Sequence, residues 1–225
     1  VPHGMNPKIF HPISEDSDKY SEIQKLRKDI AREGEAKFVL FFNSRNIRRK
    51  SIPDTLLAWK YFIDQLSEEE AKSCYFILHT DAVSDAGTDL PAVKDYLFGK
   101  DYNNVMLSTN KVTAEQLNNF YNLADAQILL SSAEGWGLAL TEALLTGTPI
   151  IANVTGGMQD QDRFVDDKGK WIEIDQSIYS PIEQGIVCLN NNSLKERLAL
   201  KFSDFIFSKK GKEILNTFGY STNLN

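Results

Sequence analysis

The stretch that decides the fold is residues 126–152, which read AQILLSSAEGWGLALTEALLTGTPIIA. It opens with an apolar run, residues 126–130, that predicts a short buried strand. A polar loop containing two glycines follows, and residues 138–145 have the pattern of a helix that Gly147 ends. A second apolar run, residues 149–153, predicts another strand. A strand, a helix and a strand in this order indicate one βαβ unit of a parallel sheet.

The same alternation of strands and helices extends from this unit toward the N-terminus. Because the predicted strands are apolar throughout rather than at every second residue, we expect both faces of the sheet to be covered by helices. The predicted fold is α/β, a Rossmann-like doubly wound parallel sheet of about six strands. The predicted strands are residues 37–42, 75–79, 104–107, 126–130 and 149–153, with a short sixth at 171–174. The predicted helices begin near Tyr20, Pro53, Pro91, Thr113 and Leu138.

Composition limits the classes of partner. The chain has 225 residues, of which 42% are hydrophobic and 25% charged, with a formal net charge of −6. These values are typical of a globular protein, and an acidic surface does not attract nucleic acid. We therefore expect no nucleic-acid partner. The three histidines and two cysteines lack metal-ligand spacing, so we expect no metal site and interpret Cys74 and Cys188 as small buried residues.

The loop after residues 126–130 is the first candidate site. Ligands of parallel sheets bind outside the carboxyl ends of the strands, and this loop lies at such an end. Gly135 and Gly137 permit close backbone approach, and the helix behind them presents unpaired N–H groups to an anion. For Glu134 two interpretations remain open. Its carboxylate either accepts hydrogen bonds from sugar hydroxyls beside a phosphate or merely complements the helix dipole.

A second carboxylate, Glu142, follows eight positions after Glu134. Two helical turns place both residues on roughly the same face. A carboxylate there can accept from two vicinal ribose hydroxyls, as acidic residues do in dinucleotide folds. The alternative is an ordinary solvated glutamate.

Three further loops follow predicted strands. Arg45, Arg48, Arg49 and Lys50 lie within six residues of an acidic chain, and they either neutralise a diphosphate or form a solvated turn. Residues 108–110 either line a nucleobase or cap the next helix, with capping preferred. The glycine pair at residues 156–157 either allows close ligand approach or is a plain connection.

Two nucleotide-binding motifs are absent. A nicotinamide-binding Rossmann motif needs a third glycine about three residues after Gly137, where the chain has Leu140. No glycine–lysine–serine/threonine run follows a strand, so there is no P-loop.

Residues 134–152 resemble the signature of retaining GT-B glycosyltransferases of the family 4 type. The shared pattern is a glutamate, seven residues, a second glutamate, and then a Gly-x-Pro entry to a strand. The spacing of Arg45 and Lys50 resembles the arginine–lysine pair of the family. The opening residues 1–4 (VPHG) resemble the segment that leads from its N-terminal to its C-terminal domain. The resemblance covers about residues 1–160.

The resemblance implies roles for individual residues. Arg45 and Lys50 would hold the donor diphosphate and stabilise the leaving nucleoside diphosphate, and Glu134 would contact the transferred sugar. These three are the catalytic candidates. Glu142 would bind the ribose. The donor-binding candidates are Gly135, Trp136, Gly137, Leu138, Glu142, Thr109 and Asn110. Such enzymes need no tightly bound metal or cofactor, and their donor substrate is a nucleoside-diphosphate sugar.

The resemblance also implies a domain organisation. We expect an interdomain segment at residues 1–15, a donor-binding domain at 16–180, and a C-terminal helical segment at 181–225 packed on that domain. The acceptor, a glycan, lipid or protein, would bind mainly to an N-terminal domain of the parent chain that is missing here.

The first hypothesis is a retaining glycosyltransferase, inactive as an isolated piece if that domain is required. The alternatives are a non-catalytic nucleotide-sugar-binding module, or a related epimerase or phosphorylase. We expect a cytoplasmic protein, with any peripheral membrane contact made through the parent.

Overall fold

A five-stranded parallel sheet forms the centre of the computed structural model. The model describes residues 5–31, 34–153, 155, 156, 158, 208–210, 212 and 213. The strands are β1 (Phe38–Asn43), β2 (Cys74–His79), β3 (Val105–Ser108), β4 (Ala126–Leu129) and β5 (Ile150–Ala152). The helices are α1 (Asp18–Ala31), α2 (Ile52–Asp64), α3 (Glu68–Lys72), α4 (Leu90–Phe98), α5 (Ala114–Leu123) and α6 (Leu138–Thr146), and Arg48–Lys50 form a 3₁₀ turn.

The strand order is β3-β2-β1-β4-β5, and every pairing is parallel. Strands β1, β2 and β3 therefore form one half of the sheet. Strands β4 and β5 form the other half, on the opposite side of β1. Between β1 and β4 the direction of winding reverses, and open α/β sheets bind ligands at such a switch point. The predicted doubly wound fold is confirmed, with five described strands where about six were expected.

The core has two layers because alternate residues of the strands point to opposite faces. Leu40 and Phe42 belong to a hydrophobic cluster that includes Trp59 of α2. Val39 and Phe41 belong to the cluster on the other face, which contains residues of α1, α5 and α6. Helices on both faces explain why the strands are apolar at consecutive positions.

Capping side chains set the helix boundaries. Thr113 accepts a hydrogen bond from the Gln116 N–H at 3.2 Å and forms a capping box with Gln116 at the start of α5. Asp89 caps α4, which therefore begins one residue earlier than predicted. The sequence did not predict α3, which has a capping box from Ser67 to Glu70 but no buried residue. A helix without an apolar stripe has no hydrophobic periodicity to reveal it.

Several predictions fall outside the described residues: the interdomain resemblance of residues 1–4, the strand at 171–174, and Cys188. The chain divides into two compact units, residues 1–171 and 172–225. In the second unit the description covers only part of a helical turn, at residues 208–210, 212 and 213, so the helical segment at 181–225 stays a prediction. Cys74 is buried and free, as expected. Among the described helices, none has the length and apolarity needed to cross a membrane.

Candidate functional site

A cavity of about 570 Å³ opens at the carboxyl edge of the sheet, over the switch point between β1 and β4. The loops after β1, β2, β3 and β4 and the first turns of α6 form its walls. All ten candidate residues line it: Arg45, Lys50, Thr109, Asn110, Glu134, Gly135, Trp136, Gly137, Leu138 and Glu142. The fold therefore brings together residues that are up to 97 positions apart in sequence, here Arg45 and Glu142.

An ion-pair cluster lies in one wall of the cavity. Lys50 donates a hydrogen bond to Oε1 of Glu134, and Nη1 of Arg49 lies 2.9 Å from the same oxygen. The side chains of Glu134 and Lys50 are only 5% and 9% exposed, whereas that of Arg49 is 44% exposed. The cluster is thus a buried lysine–glutamate pair with an arginine at the surface. Neither open interpretation of Glu134 included this pairing with the basic loop.

Burial and ion pairing shift the pKa of Glu134 in opposite directions. Burial by itself raises the pKa of Glu134, but the hydrogen bond and charge of Lys50 and the hydrogen bond of Arg49 help to bring the pKa below its usual value. For Lys50, burial is the largest effect and lowers its pKa, although Glu134 works in the opposite direction. In each case the pairing favours the charged form of the side chain, which burial alone disfavours.

The backbone of the basic loop holds Arg49 and Lys50 against the loop after β4. The carbonyl oxygen of Arg49 accepts the Ser132 N–H at 2.8 Å, and its guanidinium donates to the Ala133 carbonyl at 2.6 Å. Ser51 ends the 3₁₀ turn in a left-handed conformation, with φ 47°. Arg49 is therefore the second cation on Glu134. Arg45 lines the cavity as predicted, but its guanidinium makes no hydrogen bond or ion pair to another described residue.

Asn46 connects the basic loop to the loop after β2. Its side chain is buried, donates to the carbonyl oxygens of Asp81 and Thr88 at 3.0 and 2.7 Å, and accepts the Thr88 N–H at 3.1 Å. Gly87 lies so close that a Cβ there would be 2.1 Å from Oδ1 of Asn46. The sequence assigned Asn46 no role, and no local pattern distinguishes it from any other loop asparagine.

Glu142 lies at the cavity in a cluster of polar side chains. Its Oε2 accepts a hydrogen bond from the Tyr121 hydroxyl at 2.6 Å and one from Nδ2 of Asn43 at 3.2 Å. Burial raises the pKa of Glu142, and the two hydrogen bonds only partly offset this effect. The alternative of a solvated glutamate is therefore wrong. The residues predicted for the site included neither Tyr121 nor Asn43, although a polar residue such as Asn43 at the end of a buried strand was a usable signal.

The N-terminus of α6 faces the cavity without a capping side chain. Gly137 is its N-cap residue, with φ 80°, and a glycine has no side chain that could accept a hydrogen bond from the first turn. The first N–H groups of a helix have no intrahelical partner, so they can bind an anion together with the positive end of the dipole. Trp136 is buried beside them, and its indole N–H donates to Oγ1 of Thr141 at 2.9 Å.

The loop after β5 supports the loop that carries Glu134. A Cβ added to Gly156, which has φ 56°, would lie 2.2 Å from the carbonyl oxygen of Glu134. Thr155 also donates to the Ser132 carbonyl at 3.4 Å. The close approach at Gly156 is to the protein's own backbone, which neither interpretation of the glycine pair included. Gly157 lies outside the described residues.

Thr109 and Asn110 are exposed on the wall formed by the loop after β3. The N-cap of α5 is Thr113, so the preferred expectation that residues 108–110 cap this helix is wrong. Beside them His79, which sequence reasoning missed, lies 3.0 Å from Oγ of Ser108 through its Nδ1 and stacks on Phe120. Burial lowers the pKa of His79, which favours the neutral ring.

The described residues contain no group of three or more histidine, cysteine, aspartate or glutamate side chains that could hold a metal ion.

The fold is one that solved glycosyltransferase domains share. Residues 99–175 match the family described as "Glycosyl transferases group 1". This segment is about a third of the chain and includes Thr109, Asn110 and both glutamates.

Known proteins are similar over parts of their length. Trehalose synthase of Pyrococcus horikoshii is 28% identical over 130 residues, which are 54% of this chain and 30% of that protein. The chain thus spans about a third of the curated relatives that it matches. The C-terminal domain of LpcC, a glycosyl transferase group 1 family protein of Francisella tularensis, is 15% identical with a TM-score of 0.54, over 95% of this chain and 97% of that one.

The catalytic domain of starch synthase IV from Arabidopsis thaliana has the same fold. It is 17% identical with a TM-score of 0.53, over 95% of this chain and 42% of that one, and its structure is bound to ADP and acarbose.

Proposed function

We propose that the cavity binds a nucleoside-diphosphate sugar, with the diphosphate between the basic loop and the N-terminus of α6. The observation that carries this proposal is the surplus of positive charge on one wall. Arg49, Lys50 and Glu134 sum to one net positive charge, and Arg45 on the same cavity brings the sum to two. Cations and uncapped helix N–H groups around one cavity are suited to a phosphate ligand.

We assign the two glutamates to the two sugars of the donor, Glu142 to the ribose and Glu134 to the transferred sugar. Glu142 can accept from the vicinal hydroxyls of ribose, and it lines the cavity with Oε2 already held by Tyr121 and Asn43. Glu134 lies next to the phosphate-binding cations, where the transferred sugar adjoins the diphosphate. Trp136 supplies an apolar surface beside it.

Charge stabilisation is the chemical role that we assign to Lys50 and Arg49. As the bond between the sugar and the β-phosphate breaks, negative charge grows on the departing nucleoside diphosphate. Cations already fixed in place stabilise that charge without reorganisation, and losing one such donor typically costs about 2.7–4 kcal/mol in the barrier. In the free chain Glu134 holds both cations, so a bound diphosphate competes with Glu134 for them.

We further propose that the longer protein transfers the sugar with retention of anomeric configuration. The trehalose synthases match over about a third of their length, so the acceptor site is assigned to parts beyond this match. A chain that binds the donor without transferring it remains the second candidate. The ADP in the starch synthase IV structure, which has the same fold, supports a nucleotide ligand.

We place the protein in the cytoplasm, with any membrane contact made by the parent.

Calorimetric titration of the 225-residue chain with UDP, ADP, GDP and their glucose conjugates tests donor binding. We expect one nucleotide to bind at micromolar to millimolar Kd, and Lys50→Ala to weaken it about tenfold or more, because a charge-assisted hydrogen bond is lost. Added EDTA should leave the affinity unchanged. Lys60→Ala is the matched control, since Lys60 pairs with Asp64 on the exposed side of α2. Failure of all six ligands to bind would refute the proposal.

Transfer is a separate measurement. If the chain binds a donor but releases no sugar to water or to glucose while the parent protein does, donor binding alone is the function of this chain.

A further inference from the structure

We propose that Tyr121 and Asn43 are positioning residues that orient the Glu142 carboxylate for a ribose 2′-hydroxyl and thereby make the site selective for ribonucleotides over 2′-deoxyribonucleotides. The inference rests on the proposed nucleotide site. Asn43 lines the cavity, whereas Tyr121 is fully buried and is not among the lining residues.

The three side chains form a closed triangle of hydrogen bonds. Tyr121 donates to Oε2 of Glu142 at 2.6 Å, and Nδ2 of Asn43 lies 3.2 Å from the same oxygen and 3.0 Å from the Tyr121 hydroxyl. A carboxylate can only accept, so the tyrosine hydroxyl and the asparagine NH₂ group must both donate to it. This settles the direction of every bond in the triangle, including the one from Asn43 to Tyr121.

The hydroxyl of Tyr121 is held rigidly. Its ring is fully buried and makes edge-to-face contacts with Phe41, at 5.2 Å between ring centroids, and with Phe10 at 6.1 Å. The Tyr121 carbonyl oxygen also accepts a hydrogen bond from Thr148 at 2.8 Å. A short charge-assisted bond from a fixed donor holds its acceptor closely.

One oxygen of Glu142 is therefore held and the other is available. Oε1 accepts no hydrogen bond from a described residue, and Glu142 lines the cavity. A glutamate side chain normally loses much rotamer freedom when a ligand orders it. Because the triangle has ordered Glu142 beforehand, a ribose hydroxyl that donates to Oε1 gains the full hydrogen bond. A 2′-deoxyribose ligand lacks one of the two vicinal donors.

The test compares UDP, ADP and GDP with dUDP, dADP and dGDP by calorimetry on the 225-residue chain. For the base that binds, we expect the ribonucleotide to bind about 10- to 100-fold more tightly, the range for one hydrogen bond to a charged group. Tyr121→Phe should lower this ratio about five- to tenfold with little change in the Kd of the deoxynucleotide. Asn43→Ala, a second variant at the half-buried end of β1, should lower the ratio in the same direction.

Tyr75→Phe is the matched control. Its hydroxyl donates to the buried carbonyl oxygen of Ala31 at 2.8 Å, and Tyr75 does not line the cavity, so the ratio should stay at the wild-type value. An unchanged ratio in both Tyr121→Phe and Asn43→Ala would overturn the inference while leaving the nucleotide site intact. So would a loss of affinity that is equal for both sugars, because that is the result of a merely structural role. If no nucleotide binds to the wild-type chain, the proposed function fails and this inference fails with it.

Discussion

Replacing Lys50 by methionine isolates the charge of the buried ion pair, because methionine keeps most of the volume of the lysine stem. Glu134, with its side chain 5% exposed, is then left with Arg49 as its remaining cation. Removing one partner of a buried pair typically destabilises a protein by about 3–5 kcal/mol. Arg49 still reaches Oε1 at 2.9 Å from a position open to solvent, so we expect a somewhat smaller loss than that range, about 2–4 kcal/mol.

A double-mutant cycle assigns this loss to the charge. Glu134→Gln removes the carboxylate that Lys50→Met leaves unpaired, so the double variant should be more stable than Lys50→Met alone. We expect a coupling free energy of about 1.5–3 kcal/mol between the two sites. Urea unfolding followed by tryptophan fluorescence measures the effect. With a slope of about 2 kcal/mol per molar urea, Lys50→Met should lower the midpoint by about 1–2 M at unchanged slope.

Lys60→Met is the control for loss of a lysine as such. Its pair with Asp64 lies on an exposed helix face, where such pairs contribute about 0.3–0.5 kcal/mol. The reasoning would be refuted if Lys50→Met shifted the midpoint no more than Lys60→Met, or if the effects of Lys50→Met and Glu134→Gln were simply additive.

Two further predictions concern the loop that carries Glu134. Gly156→Ala should destabilise the chain by about 2–4 kcal/mol in the same urea assay, because the new Cβ meets the Glu134 carbonyl oxygen at 2.2 Å in a left-handed conformation. Gly135→Ala, which has nothing within 4 Å, should change it far less, and equal effects would contradict the steric argument. The folded-state pKa of Glu134 is lowered, so its ionised form stabilises the chain above the unfolded value of about 4.3 and the contribution disappears as pH falls through the folded value. The stability difference between wild type and Glu134→Gln should therefore shrink below about pH 4.3, and a constant difference down to pH 3 would exclude this origin.

Short sequence patterns predicted the strands and one helix cap, which depend on residues close together in the chain. Each of the five described strands was expected from an apolar run, and the capping box at Thr113 follows from side-chain chemistry within three residues. The helix α3 was missed because it buries no residue, so no periodic signal marks it. Residues 108–110 were assigned to a cap because the sequence offers two polar groups before α5 and does not say which one the chain uses.

The sequence by itself predicted the sheet class and ten residues that line the cavity. Parallel strands end at one edge, so polar and glycine-containing loops after them must meet there. Only the tertiary structure decided which charges pair. That Glu134 accepts from Lys50 and Arg49, that Asn46 joins two loops, and that Tyr121 and Asn43 hold Glu142 are contacts across many positions of the chain. The physical reason is that a hydrogen bond or ion pair depends on atoms a few ångströms apart in space. Distance along the sequence does not determine that separation until the strand order has been set.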